Sequence, residues 1–298
     1  MSVELVKADG SLLHVERDGS GPPLVLLHGF TGSGRALERT ARDLCDRWQT
    51  IRIDLIGHGR SDAPDRIAPY AMERCAGHVA AVIERLTEGR AHVLGYSMGG
   101  RVALSLAAFH PERVRSLLLV GARAGIEAAP DRARRIAADE RLAAELERDG
   151  LEAFVDRWMA LPLFASQARL GAEFLAEARR QRLENRVHGL VHSLRGMGAG
   201  AQRPLFDQLE QLRAPALVAV GAEDERFVPV ARELAARMPA ARLAVVPEAG
   251  HAAHLENPEA FRRIARDFLA EIEATPALND EPLEPRAEEP CRTSTGRA

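Results

Sequence analysis

The chain has 298 residues, 46% of them hydrophobic, enough for one large α/β domain with an insertion or for two modest domains. Its formal net charge of −3 leaves no electrostatic footprint for nucleic acid or for an anionic membrane surface. The three cysteines, Cys45, Cys75 and Cys291, fall in neither a disulfide framework nor a metal-ligand spacing, so a reducing cytoplasm and no bound metal are expected.

In chain order, residues 1–10 are mixed polar and lack the apolar core of a signal peptide. No later apolar run approaches the ~20 residues of a membrane span, so no membrane insertion is expected. Residues 12–16 read as a short edge strand, closed by Asp18-Gly19-Ser20-Gly21-Pro22-Pro23. Residues 24–27 are wholly apolar, the pattern of a strand buried on both faces of a parallel sheet. They run into His28-Gly29-Phe30-Thr31-Gly32-Ser33, a Gly-containing loop of the kind that meets ligands at the edge of an α/β sheet. Residues 37–48 read as an amphipathic helix, 51–55 as a strand followed by Gly57-His58-Gly59-Arg60-Ser61, and 70–86 as a helix. A strand at 91–94, a sharp turn at Ser97 and a helix over 101–109 come next, followed by a buried strand at 114–120.

There the strand–helix alternation stops. Residues 125–203 contain no convincing strand, are dominated by Ala, Leu, Glu and Arg, and carry Phe154, Trp158, Phe164 and Phe174. They read as a helical cap inserted above the ligand edge of the sheet. The alternation resumes with strands at 216–220 and 242–246, a helix at 232–237 and a closing helix at 258–272 that begins with proline. The organisation is therefore a core in two parts, 1–124 and 204–273, with a cap at 125–203. Residues 274–298, almost without large apolar side chains, are expected to form a disordered tail.

The chemistry centres on Gly95-Tyr96-Ser97-Met98-Gly99-Gly100-Arg101. A G-x-S-x-G run between a strand and a helix sets a serine on a tight turn, with the first helix amides free to meet a ligand. Serine is unreactive at neutral pH unless a base takes its proton, and imidazole is the side chain suited to that task. A buried carboxylate then orients the imidazole. Candidates stand at the ends of later strands, Asp224 after Gly221 and His251 after Gly250, in the order serine, acid, histidine used by α/β-hydrolases. Asp224 competes with Glu223, and His251 with His254; position in the turn favours the first of each pair. The amides of Met98 and Phe30 are the candidate oxyanion donors. His28 and His58, flanked by glycine, are expected to bind backbone.

These residues carry a resemblance. Up to about residue 273 the chain resembles the α/β-hydrolase superfamily, a mostly parallel sheet with an inserted helical cap. Within it the chain is similar to the 2-succinyl-6-hydroxy-2,4-cyclohexadiene-1-carboxylate synthase (MenH) family of menaquinone biosynthesis. The more specific stretches are Tyr96-Ser97-Met98-Gly99-Gly100-Arg101 and Leu194-Arg195-Gly196-Met197-Gly198. Trp158 with Pro162-Leu163-Phe164, and the run from Gly250 to Pro258, support it. Ile56, where such proteins usually have proline before Gly-His-Gly, and Ala199, where they have threonine, depart from it. The resemblance implies a lyase that removes pyruvate by 2,5-elimination, with Ser97, made basic by His251 and Asp224, abstracting a ring proton. It implies a small tricarboxylate substrate gripped by Arg101, Arg135 and Arg182 and lined by Tyr96 and Trp158, with no cofactor, in a monomer or small homo-oligomer. Arg132 and Arg134 compete with Arg135. The alternative is a serine hydrolase of an ester, thioester or C–C bond with Ser97 as nucleophile.

Overall fold

The computed structural model describes residues 1–275; Cys291 and the predicted tail from residue 276 onward lie outside the described residues. The strands are β1 (Ser2–Ala8), β2 (Ser11–Asp18), β3 (Pro23–Leu27), β4 (Gln49–Ile53), β5 (Ala91–Tyr96), β6 (Val114–Val120), β7 (Ala216–Gly221) and β8 (Ala241–Val246). They form one sheet in the order β1-β2-β4-β3-β5-β6-β7-β8. The pairs β1–β2 and β2–β4 are antiparallel and all others parallel, the mostly parallel sheet that the resemblance implies. The chain leaves β3 to pair β4 on one side and returns to pair β5 on the other. Order reverses there, and in open α/β sheets ligands bind in the crevice beyond such a point. The loops after β3 and β5 are those of Phe30 and Ser97.

The helices are α1 (Glu38–Arg42), α2 (Met72–Leu86), α3 (Met98–Phe109), α4 (Ala129–Met159), α5 (Ala172–Arg182), α6 (Val187–Met197), α7 (Phe206–Leu209), α8 (Phe227–Arg237), α9 (Ala253–Glu256) and α10 (Pro258–Ala274). The period of two along a strand divides the core. Val25 and Leu27 join Val79, Val102 and Leu234 on one face of the sheet, while Leu24 and Leu26 join Trp48, Phe261 and Leu269 on the other. Between β6 and β7 the chain is helical. There α4, broken at Gly150 (φ 79°), packs Leu146 and Phe154 against Leu190, Val191 and Leu194 of α6. Among the described residues no helix is long and apolar enough to cross a membrane.

Two expectations are corrected. Residues 12–16 belong to β2 but are not the edge: β1, unforeseen, lies outside them, joined by a two-residue turn of Asp9 (φ 45°) and Gly10 (φ 82°). Only some β1 side chains are buried, so its apolar signal is diluted. Residues 37–48 are not one helix. A 3-10 turn, Gly34–Leu37, precedes the short α1, and tightened turns deliver the buried Trp48 to the start of β4. The helix predicted over 258–272 runs from Pro258 to Ala274.

A polar cluster beneath the sheet explains why it reaches so far. His92, fully buried on β5, lies 2.7 Å from Ser116 Oγ through Nδ1 and 2.7 Å from Glu273 Oε1 through Nε2. Arg115 donates to the same carboxylate at 2.9 Å. With the imidazole kept neutral by burial, Ser116 donates to Nδ1 and Nε2–H donates to Glu273. The His92 hydrogen bond, assisted by Arg115 and opposed by burial, holds the Glu273 carboxyl down at about 2. Glu273→Ala strands the His92 donor, and the expected loss is about 1–3 kcal/mol near pH 7, read by thermal or denaturant melting. Because the folded value lies below the ordinary 4.5, this stabilisation is complete above 4.5 and is lost as pH falls toward about 2. The gap between wild type and variant should close over that window.

Candidate active site

The turn between β5 and α3 sets Ser97 at φ 51° and ψ −106°, a left-handed conformation that costs a non-glycine residue of order 1–3 kcal/mol. Close packing enforces it. A Cβ on Gly99 would collide with the carbonyl oxygen of Leu27, and one on Gly95 with that of Gly99. The Ser97 amide is anchored to Val120 O on β6 at 2.8 Å, and its carbonyl accepts from Arg101 N at 3.1 Å. The hydroxyl faces the pocket. His251 Nε2 lies 3.1 Å from Ser97 Oγ, and His251 Nδ1 lies 2.7 Å from Asp224 Oδ2. His251 and Asp224 are 2% and 6% exposed, so the pair is shielded from water. The other oxygen of Asp224 accepts from Phe227 N at 3.2 Å, the first amide of α8.

The competing residues are placed elsewhere. His254 packs on Tyr96, with ring centroids 4.7 Å apart, and burial followed by the neighbouring His251 pushes it down to about 3. Glu223 pairs with Arg169 at 2.7 Å. His28 accepts from Leu55 N at 3.0 Å through Nε2, so its Nδ1–H donates to Gly29 O at 2.8 Å. That bond supports the loop bearing Phe30. His58 lies 3.1 Å from Ile56 O and is pushed down by burial to about 3. Met98 is the first residue of α3, so its amide has no acceptor within the helix.

Above the serine lies a cavity of about 120 Å³. Phe30, Tyr96, Trp158, Leu163, Phe164 and Phe227 supply its apolar wall. Phe30 meets Trp158 edge-on at 5.1 Å, and Phe227 lies 4.6 Å from the His251 ring. The indole N–H of Trp158 is buried and has no acceptor among the described residues. Arg101, Arg135 and Arg182 all line the same cavity. Arg101 is 9% exposed and donates to Met197 O at 2.6 Å and Gln202 Oε1 at 3.3 Å. Burial first, then the Arg135 guanidinium, brings it down to about 10, so it remains a cation at neutral pH. Among the described residues it has no carboxylate within ion-pair distance. Arg135 donates through Nε to Asp139 at 2.8 Å. Arg182 donates to Ala178 O at 2.8 Å, and burial lowers its pKa. Arg132 instead binds the carbonyls of Ile126 and Glu127, and Arg134 pairs with Asp131.

Arg123 and Arg226 also line the cavity and were missed from sequence. Arg123 lies three residues beyond the end of β6, at the sheet edge where α/β folds bind ligands, and that position was the available signal. Its guanidinium is lowered by burial and then by Arg135 and Arg226. Among the described residues, Asp139 is the only carboxylate on a wall that holds five arginines. Such a wall suits a ligand with several negative charges and a compact apolar body. Among the described residues no cluster of three or more His, Cys, Asp or Glu is placed to hold a metal ion.

The family model for the alpha/beta hydrolase fold matches residues 22–258. A Bacillus subtilis (strain 168) protein provisionally named 2-succinyl-6-hydroxy-2,4-cyclohexadiene-1-carboxylate synthase is 38% identical over 273 residues, covering 91% of this chain and 99% of that protein. The pimeloyl-[acyl-carrier protein] methyl ester esterase of Aeromonas hydrophila is 30% identical, covering 86% and 98%. The solved structure of MenH from S. aureus superposes with a TM-score of 0.83 at 29% identity, covering 87% of this chain and 98% of that one.

Proposed function

The chain belongs to the α/β-hydrolase fold family, in the group of the 2-succinyl-6-hydroxy-2,4-cyclohexadiene-1-carboxylate synthases, and from its site we propose a carbon–oxygen lyase that eliminates pyruvate from 2-succinyl-5-enolpyruvyl-6-hydroxy-3-cyclohexene-1-carboxylate. The observation that carries the reading is Arg101, a buried cation one helical turn from Ser97 without a carboxylate partner among the described residues. A hydrolase of uncharged esters has no use for it. A tricarboxylate needs it, with Arg135 and Arg182 as further grips and Tyr96 and Trp158 against the ring.

The chemistry follows from the substrate. The ring C2–H is flanked by the succinyl ketone and the ring double bond, so its removal gives a dienolate. Ser97 Oγ takes that proton while His251 Nε2 takes the hydroxyl proton, and Asp224 stabilises the imidazolium. Negative charge grows on the ketone oxygen, where the amides of Met98 and Phe30 serve as donors. Collapse forms the C2–C3 and C4–C5 double bonds and breaks the C5–O bond. The departing enolpyruvate takes a proton and tautomerises to pyruvate. No acyl-enzyme forms. The helices between β6 and β7 act as a cap that excludes water.

The test offers this precursor and, separately, a p-nitrophenyl ester. Stoichiometric pyruvate release with slow ester turnover is expected. Ester turnover with a burst and no pyruvate would overturn the lyase and leave the esterase reading.

A further inference from the structure

We propose that Glu256 is the positioning residue for His251, and that Arg169 links it to the helical segment covering the pocket. The proposal rests on the reading of His251 as the group that activates Ser97. Chain direction changes sharply after β8, where Glu248 takes φ 51°, and His251 sits in the loop that follows. Its ring is held by Asp224, but a ring bond does not fix the peptide that carries it. Glu256 does. Its Oε2 accepts from Gly250 N at 2.7 Å and its Oε1 from Ala252 N at 3.0 Å. These are the two amides flanking His251, and the carboxylate that grips both is 1% exposed. A carboxylate suits this place because both of its oxygens accept. A glutamine would turn an NH2 group toward one of the two amides.

Arg169 extends the device into the insertion. It lies near the end of the 3-10 segment Pro162–Leu170, whose Leu163 and Phe164 line the pocket. Its Nη1 lies 2.7 Å from Glu223, the residue before Asp224. Its Nη2 lies 3.7 Å from Glu256 and donates to Glu248 O at 3.3 Å. Ser166 of the same segment presses on the loop, for a Cβ on Gly250 would collide with its Oγ. One guanidinium therefore touches the loop of the acid and the loop of the histidine. Substrate seated under Leu163 and Phe164 bears on the segment that braces both. Asp224 holds the ring at 2.7 Å, and Glu256 holds the backbone on either side of it.

The experiment compares Glu256→Gln, Arg169→Met and Ser97→Ala in the full chain, following the kcat and KM of pyruvate release and thermal melting. For Glu256→Gln, kcat should fall ~10–100-fold, as for a catalytic group displaced by a fraction of an ångström, with KM changed by less than about twofold. Arg169 is half exposed, so Arg169→Met should keep the fold and lower kcat by only ~2–5-fold. A folded Glu256→Gln with wild-type kcat would overturn the positioning role, as would a loss that falls on KM and kcat alike. Wild-type kcat in Arg169→Met would overturn the link to the insertion, and that variant decides the matter if Glu256→Gln fails to fold. If Ser97→Ala keeps full activity, the reading of the triad fails instead.

Discussion

Ser97→Ala should lower kcat for pyruvate release by about 10³–10⁴-fold while KM stays nearly constant. The substitution removes one oxygen that grips nothing in the ground state and carries the proton in the transition state. What remains is the cationic pocket and the oxyanion amides, which still hold the substrate and stabilise the dienolate. His251 cannot substitute, because its Nε2 points at the missing oxygen from 3.1 Å. His251→Ala should therefore lose about as much as Ser97→Ala, and the double variant little more than either, the non-additivity of groups that act as a unit. Stability should not fall with activity. Ser97 holds a left-handed conformation at a site of strain, and alanine removes no buried packing there. Intact-mass measurement of the wild type during turnover separates base from nucleophile. No adduct is expected on Ser97, and a substrate-derived adduct that forms and decays at the turnover rate would convert the serine into an acyl carrier.

The parts of this machine differ in how far they can be read from sequence, for physical reasons. The elbow could be read because its geometry leaves few residue types possible: Gly95 and Gly99 touch backbone, so any side chain there collides. Residues 24–27 could be read because a strand buried on both faces must be apolar throughout. Strand β1 could not, since Val3 and Leu5 face solvent and the run shows neither clean alternation nor a continuous core. Its readable sign was the Asp9-Gly10 pair, a hairpin dipeptide by its preference for positive φ. The helix expected over 37–48 failed because amphipathic spacing does not register the need to deliver Trp48 to the start of β4. Arginines were the hardest. Almost every cation in the chain is one, and a long side chain on a helix is solvated or buried according to neighbours far away in sequence. Arg135 and Arg134 are adjacent, yet one faces the cavity and the other pairs with Asp131. Glu256 was legible only as part of a resemblance, because its role is to bind backbone, and backbone partners leave no residue signature.

Arg101→Ala is expected to lower kcat/KM by about 10²–10³-fold, chiefly through KM, with the melting temperature almost unchanged. The split follows from what the guanidinium does in each state. In the free protein it is buried, and among the described residues it is bonded only to Met197 O and Gln202 Oε1, both neutral acceptors. Burial and Arg135 already bring it down to about 10, which shows that its surroundings disfavour the charge. Removing it costs two hydrogen bonds but relieves a desolvated cation, and these contributions offset to within about 1 kcal/mol. In the complex the same guanidinium meets a carboxylate in a water-poor pocket, where a charge-assisted bidentate bond is strong. The carboxylate keeps its charge as the ring proton leaves, so ground state and transition state are gripped alike and the loss falls on KM. Arg101→Lys separates charge from shape. It restores the charge without the planar fork, so its KM should lie between wild type and Arg101→Ala. The p-nitrophenyl ester provides the control: its slow turnover should be indifferent to both substitutions, since it has no carboxylate to place. A wild-type KM for the precursor in Arg101→Ala would mean that the substrate's charges are held elsewhere on the wall, by Arg135, Arg182, Arg123 or Arg226. Equal losses for ester and precursor would mean that Arg101 supports the elbow instead of the ligand.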